Sequence, residues 1–194
     1  MPANAFGIVV EGPYDVAVFC HLIPRILGRN VPVIPRPCFG KDDLRKHLLV
    51  HLKTLEHAVE GRPVDKALVI RDSGGKDPRI IRAELTQKVQ ERPWGFSHGV
   101  HICIVRRELE TWLLGDVAAV NAVAEKRGGR EAAEVQGALE EIEYPKQRLT
   151  ELLSEARLEY TEQVCAEIAR SLRLDTLSYR CPSFRVFKRQ VVDC

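Results

Sequence analysis

Four short runs of apolar, largely β-branched residues set the tightest limit on what this chain can fold into. They are Phe6 to Val10, Val31 to Ile34, Ala67 to Ile70 and Val100 to Val105. A run unbroken by charge reads as a strand buried on both faces, the condition of a strand inside a parallel sheet. Each of the first three runs leads into a stretch of helical periodicity. Strand and helix therefore alternate, and a mostly parallel sheet with helices on both faces is expected.

The stretches between the strands carry their own signals. Pro13 suits a first helical position, and Val16, Phe19, Cys20, Ile23 and Leu27 make one apolar helix face that Gly28 and Asn30 end. Pro32 and Pro35 place the second strand at a sheet edge or leave its end frayed. Asp42 or Asp43 can cap a second helix in which Leu44, Leu48, Leu52, Leu55 and Val59 share a face, ending near Gly61 and Pro63. A third helix is predicted over residues 80–89. Beyond Trp112 the strand signal disappears, and three or four helical segments follow, separated by KRGGRE and by Tyr144-Pro145. The expected organisation is an α/β core over residues 1–116 with a helical extension, residues 117–194, packed on it.

With 29 Lys plus Arg against 27 Asp plus Glu, the formal charge is +2, so any basic binding surface must be local. No segment has the roughly 18 apolar residues of a membrane helix, and the N-terminus lacks a targeting pattern, so a cytoplasmic protein that meets no membrane is expected. Cys20, Cys38, Cys103, Cys165, Cys181 and Cys194 form no CxxC pair and read as buried free thiols.

Acids stand where strands end. Glu11 follows the first, Asp72 the third, and Glu108 and Glu110 the fourth. In an open parallel sheet the carboxyl ends of the strands lie along one edge, where ligand crevices open, so acids remote in sequence converge. One acid at a strand end is ordinary, because loops are wet. Several converging carboxylates repel one another and persist best around a cation, and hard oxygen ligands favour Mg²⁺ or Mn²⁺. Phosphodiester chemistry suits such an edge.

The contexts VEGPYD, RDSGGKD and RRELETWLLGD sharpen this pattern. VEGPYD resembles the first motif of the TOPRIM fold, a Rossmann-like α/β architecture, and RDSGGKD occupies the place of its Asp-x-Asp motif. The wider layout resembles a family of small bacterial proteins related to the TOPRIM domains of OLD-type nucleases, with VEG-x-T-[DE], RD-x-D and RE-x-E-x-W-L-L-x-D. Tyr144-Pro145-Lys146 and Cys181-Pro182-Ser183-Phe184 match that family's later landmarks.

The resemblance implies a Mg²⁺- or Mn²⁺-dependent nuclease or phosphoryl-transfer enzyme acting on nucleic acid, DNA rather than RNA, in a setting such as phage defence. It makes Glu11 a metal-linked general acid or base, Asp72 a metal ligand, and Glu108, Glu110 and Asp116 the later acids, with Glu110 favoured. One departure stands out. The second acid of Asp-x-Asp is absent, since Gly74 holds its place, and Asp77 is the nearest acid on the same loop. Losing a carboxylate weakens binding of a hard cation. A catalytically degenerate module that partners an ATPase is therefore the alternative, and the chain itself has no GxxxxGK[ST] loop. A small-molecule phosphatase using the same edge is a third.

Gly12, Gly74 and Gly75 offer backbone N–H groups to a phosphate, although Gly74-Gly75 also suits a tight turn. Arg71 and Arg107 are candidate phosphate contacts, and Arg106 a catalytic partner of the phosphate or an acid. KRGGR at 126–130 and FRVFKR at 184–189 are further basic clusters, the second interleaved with aromatics. His47 and His51 are four apart on a predicted helix but lack the HExxH glutamate. His98 and His101 bracket the start of the fourth strand, and Cys38 and Trp112 are expected to pack in the core.

Overall fold

The computed structural model describes residues 3–57 and 63–193. Strands β1 (Phe6–Val10), β2 (Val33–Pro37), β3 (Lys66–Asp72) and β4 (Val100–Val105) form one sheet in the order β2-β1-β3-β4, with every neighbouring pair parallel. Alternation along the strands divides their side chains between two apolar clusters. Ile8, Val10, Leu68, Ile70, Cys103 and Val105 face one side; Val9, Ala67, Val69, Ile102 and Ile104 face the other. Both faces are covered, which is why these strands read as unbroken apolar runs.

On the second side lie α2 (Lys41–Glu56) and α3 (Pro78–Val89). The stripe Leu44, Leu48, Leu52 and Leu55 is fully buried there, while Val59, Gly61 and Cys194 fall outside the described residues. Gly40, not Asp42 or Asp43, stands at the N-cap of α2, with φ of 94°, a backbone conformation that favours glycine. Asp43 turns back instead to accept the Phe39 N–H at 3.0 Å. The α3 helix starts two residues before the periodicity predicts, because Asp77 caps it and Pro78 opens it.

The first side holds α1 (Pro13–Leu27), α5 (Val117–Lys126), α6 (Pro145–Glu155), α7 (Glu162–Ser171), α8 (Leu174–Arg180) and α9 (Pro182–Val192), with the short α4 (Glu110–Leu113) leading out of the sheet edge. Because α1 lies between the sheet and α7, its buried residues are Val18, Phe19, Leu22 and Ile23, while Val16, Cys20 and Leu27 are half-buried. One apolar cluster runs across residue 116 without a break, taking in Phe6, Trp112, Val120, Ile168 and Phe187. Trp112 lies at its centre. It meets Phe19 and Phe184 edge-on at 5.9 and 5.1 Å and donates its indole N–H to Ser183 Oγ at 2.9 Å. The aromatics of FRVFKR are thus core residues, with Phe184 and Phe187 fully buried.

β2 starts two residues later than its apolar run and reaches Pro37, in register with Phe6 to Val10. It is an edge strand, and that position lets it contain Pro35 and Pro37. At the other edge, the Ile102 carbonyl on β4 accepts side-chain hydrogen bonds from Arg82 Nη1 at 2.6 Å and Gln190 Nε2 at 2.9 Å. Among the described cysteines all thiols are free and only Cys20 is more than marginally exposed. No helix among the described residues is long and apolar enough to cross a membrane.

Candidate active site

Glu11 follows β1, Asp72 ends β3, and Glu110 opens α4 just past β4, so parallel pairing brings three acids from distant sequence to one edge. Asp15, in the first turn of α1, joins them. These carboxylates line a cavity of about 220 Å³. Three of them are held by a named donor. The Asp72 N–H donates to Glu11 Oε1 at 2.9 Å, the Gly12 N–H to Asp15 Oδ2 at 2.9 Å, and the Tyr160 hydroxyl to Glu110 Oε1. Glu108 stands at the rim and accepts the Lys146 N–H at 3.2 Å.

Burial and mutual repulsion raise the acids above the ordinary carboxylate range. Asp15 is pushed up to about 7, by burial and then by Glu11. Asp72 is raised well above its usual value by burial, then by Asp15, Glu11 and Glu110. Glu11 is raised by burial, against the opposing pull of Lys41, the Asp72 N–H and Arg71. Tyr160 is raised by burial and by Glu110, so it stays a neutral donor. Its ring stacks on Tyr14 with centroids 4.8 Å apart, and the Lys146 ammonium lies 5.3 Å from the Tyr160 centroid. Such a set of oxygen donors fits a hard divalent ion. It is not a tight cage: a group of three His, Cys, Asp or Glu donors with all ligand atoms within 4.8 Å of one another occurs once among the described residues, and elsewhere.

Gly74, at the place of the absent second acid, adopts φ of +54°, and a Cβ built on it would lie 2.6 Å from Lys41 Nζ. An ammonium therefore occupies the space beside the missing carboxylate. The surrounding loops are laced together. The Ser73 N–H donates to the Val105 carbonyl at 2.9 Å, the Gly74 N–H to the Arg107 carbonyl at 2.8 Å, and the Arg107 N–H to Ser73 Oγ at 2.8 Å. Gly74-Gly75 is thus a tight turn, and the amides of Gly12 and Gly74 already have protein partners.

Ser73, Gly75, Lys76, Arg79, Arg106 and Arg107 line a second cavity of about 510 Å³ around the same loop. Asp77 belongs to this cavity, where its Oδ1 accepts the Arg79 N–H at 2.8 Å and caps α3. Arg71 is buried, and its Nε and Nη1 have no hydrogen-bond partner among the described residues. Asp116 is not brought to the edge. It is buried and clamped by Arg173, whose backbone N–H and Nη2 donate to its two oxygens at 2.7 and 2.6 Å. His98 and His101 lie at the opposite end of β4, where His101 Nε2 bonds the His98 carbonyl. In KRGGR, Arg127 pairs with Glu167 and Arg130 bonds the Glu155 carbonyl.

Strand-end reasoning passes over Asp15, Lys41, Lys146 and Tyr160. Asp15 closes the VEGPYD motif and Lys146 the Tyr144-Pro145-Lys146 landmark, so both had a sequence signal; Lys41 and Tyr160 reach the site through packing alone.

The chain is therefore an α/β protein with a carboxylate-lined cavity at the carboxyl edge of a parallel sheet. It belongs to the family described as Domain of unknown function (DUF4276), whose model matches residues 10–191. Among solved structures, the C-terminal region of the Burkholderia pseudomallei OLD protein is similar, with 13% identity and a TM-score of 0.47, over 98% of this chain and 99% of that one. No curated protein matches the chain.

Proposed function

We propose that the acidic cavity is the active site of a Mg²⁺- or Mn²⁺-dependent TOPRIM-type nuclease, or a related phosphoryl-transfer enzyme, acting on nucleic acid. The observation that carries this reading is the meeting of Glu11, Asp15, Asp72 and Glu110 at one cavity beside a second cavity lined by Arg106, Arg107, Lys76 and Arg79. Acids suit the metal, and the neighbouring bases suit the phosphodiester backbone. The motifs VEGPYD, RDSGGKD and RRELETWLLGD support the TOPRIM relation.

Asp72 and Glu110 would hold the ion, with Glu11 and Asp15 completing its surroundings and water filling the remaining positions, as Mg²⁺ prefers. Bound there, a divalent ion supplies charge neutralisation for the phosphoryl oxygens and a more acidic water. Glu11 would move the proton. Its Oε1 is fixed by the Asp72 N–H, and burial raises its pKa toward the range where general acid–base catalysis is efficient. Tyr160 fixes the orientation of Glu110. The Lys41 ammonium offsets the charge of Glu11 and Asp72, standing in for part of the positive charge that a fuller set of carboxylates would recruit.

Calorimetric titration of Mn²⁺ into wild type, Glu11→Ala and Asp72→Ala, with plasmid cleavage on the same samples, tests this. Binding and cleavage lost together in both variants are expected. Unchanged cleavage by Glu11→Ala would refute the assignment.

Gly74 and the adjacent Lys41 favour a second reading, a catalytically silent module that partners an ATPase. Copurification with an ATPase, together with no acid-dependent cleavage by the chain or the complex, distinguishes it.

A further inference from the structure

The group of three close donors noted above is Cys38, Asp43 and His51. We infer that these residues form a binding site for a borderline-soft divalent ion of the zinc class, separate from the acidic cavity. The inference does not rest on the nuclease reading. One thiol, one carboxylate oxygen and one imidazole nitrogen lie within 4.8 Å of one another. In a tetrahedral zinc site, metal–ligand lengths of about 2.0 to 2.3 Å put neighbouring ligand atoms roughly 3.3 to 3.8 Å apart. Closing the gap takes about 1 Å, within reach of rotation by the Asp43 and His51 side chains.

The donors stand on fixed backbone. Asp43 and His51 are on α2, and Cys38 follows the last residue of β2. The Cys38 N–H donates to the Val10 carbonyl at 2.9 Å, the Phe39 N–H to Asp43 Oδ2 at 3.0 Å, and the Gly40 N–H to the Glu11 carbonyl at 2.9 Å. Three successive residues are thereby pinned. His47, one turn from each helix ligand, places Nε2 3.5 Å from Asp43 Oδ1 and can orient that carboxylate. A sulfur, nitrogen and oxygen set selects zinc-like ions, whereas the all-oxygen edge selects Mg²⁺ or Mn²⁺.

The same three residue types also make nucleophilic triads, but the surroundings oppose that role. Cys38 is 4% exposed, and its thiol is pushed up to about 12 by burial, then by Asp43, Glu11 and Asp15. A nucleophilic thiol needs the opposite shift and an approach for substrate. On binding, the Cys38 S–H bond breaks, the sulfur–metal bond forms, and one proton passes to solvent. The ion would tie the end of β2 to two turns of α2 and so fix the segment from which Lys41 reaches Gly74.

Cobalt titration of the metal-stripped full chain tests the site, because thiolate ligation gives Co²⁺ a near-ultraviolet charge-transfer band and tetrahedral geometry gives visible d–d bands. The expected result is one equivalent bound with both features, displaced by Zn²⁺. The charge-transfer band should vanish in Cys38→Ser, and affinity should fall about tenfold or more in Asp43→Asn and His51→Ala. Both features should survive in the Glu11→Ala/Asp72→Ala double variant, which separates this site from the acidic cavity. No thiolate band in wild type at saturating Co²⁺, or a band that persists in Cys38→Ser, overturns the inference. If Cys38→Ser does not fold, the two helix variants decide, and wild-type affinity in both overturns it equally.

Discussion

Glu11 Oε1 accepts the backbone N–H of Asp72 at 2.9 Å, so a carboxylate, not a water, bridges the ends of the two central strands. One oxygen serves the fold, which leaves the other for the proton transfer proposed above. Glu11→Gln keeps an acceptor for that N–H but cannot exchange a proton. We expect metal-dependent cleavage to fall by about 100-fold or more, with the melting temperature of the metal-free protein unchanged or raised. A glutamine variant that cuts like wild type would remove Glu11 from proton transfer.

Asp15 and Asp72 make stability depend on pH in an unusual direction. Asp15 ionises at about 7 in the folded chain, against 3.8 ordinarily, so between these values the folded state holds a proton that the unfolded state has released. The contribution of these two acids to the stability of the metal-free protein therefore declines as pH rises from about 4 to about 7. Protons and metal compete for the same oxygens, so Mn²⁺ affinity rises over that window. Denaturant melts with and without Mn²⁺ across this range should show the two curves diverging as pH increases.

Among the charged side chains, Lys41 opposes the raised pKa values of Glu11 and Asp72 most strongly. Removing it in Lys41→Ala leaves the acids facing one another uncompensated. The metal-free melting temperature at pH 8 should drop, and Mn²⁺ should restore more stability to the variant than to wild type. Equal gains in the two proteins would show that the ammonium and the ion do not share a field.

Asp116 belongs to a different structure. Its buried carboxylate binds the Arg173 backbone N–H and guanidinium, which joins the start of α5 to the start of α8. Asp116→Asn should cost on the order of 1 to 3 kcal/mol in stability and leave Mn²⁺ affinity unchanged. A loss of metal affinity without a loss of stability would return Asp116 to the site.

Phe184 packs edge-on against Trp112 and is fully buried. Phe184→Ala should destabilise the chain by about 3 to 5 kcal/mol. The substitution tests whether FRVFKR serves the core, since a base-stacking residue would lower nucleic-acid affinity with little change in the melt.

Glu11, Asp72 and Glu110 were legible because each follows an apolar run whose pairing is dictated by a buried parallel sheet. The bounds of β1 and β4 were legible for the same reason; β3 runs from Lys66 through Asp72, one residue earlier and two later than its apolar run, and at β2 register with β1 overrides the local apolar pattern and carries the strand through Pro37. Tyr160 was not, and Lys146 only as part of the Tyr144-Pro145-Lys146 landmark, since their positions depend on where α6 and α7 settle against α1 and α4. Lys41 was invisible for a subtler reason: its role depends on a side chain that Gly74 lacks. Asp116 misled because a motif conveys residue order and not direction, and α4 turns the chain away from the cavity before that acid.

The two margins of the sheet limit how this protein can associate with others. On β2 the Cys38 N–H bonds inward to Val10 and the Pro32 carbonyl bonds inward to Phe6, so Val33, Pro35 and Pro37 face outward, and the two prolines offer no N–H. On β4 the Ile102 carbonyl is already taken by Arg82 and Gln190. An extended peptide meets two prolines on β2 and, on β4, a carbonyl already engaged by side chains of α3 and α9, so growth of the sheet into a second chain is disfavoured at these positions. A companion protein, or another copy, must meet this one through its helices or at the mouths of its cavities, and variants designed to break such a complex belong on those surfaces.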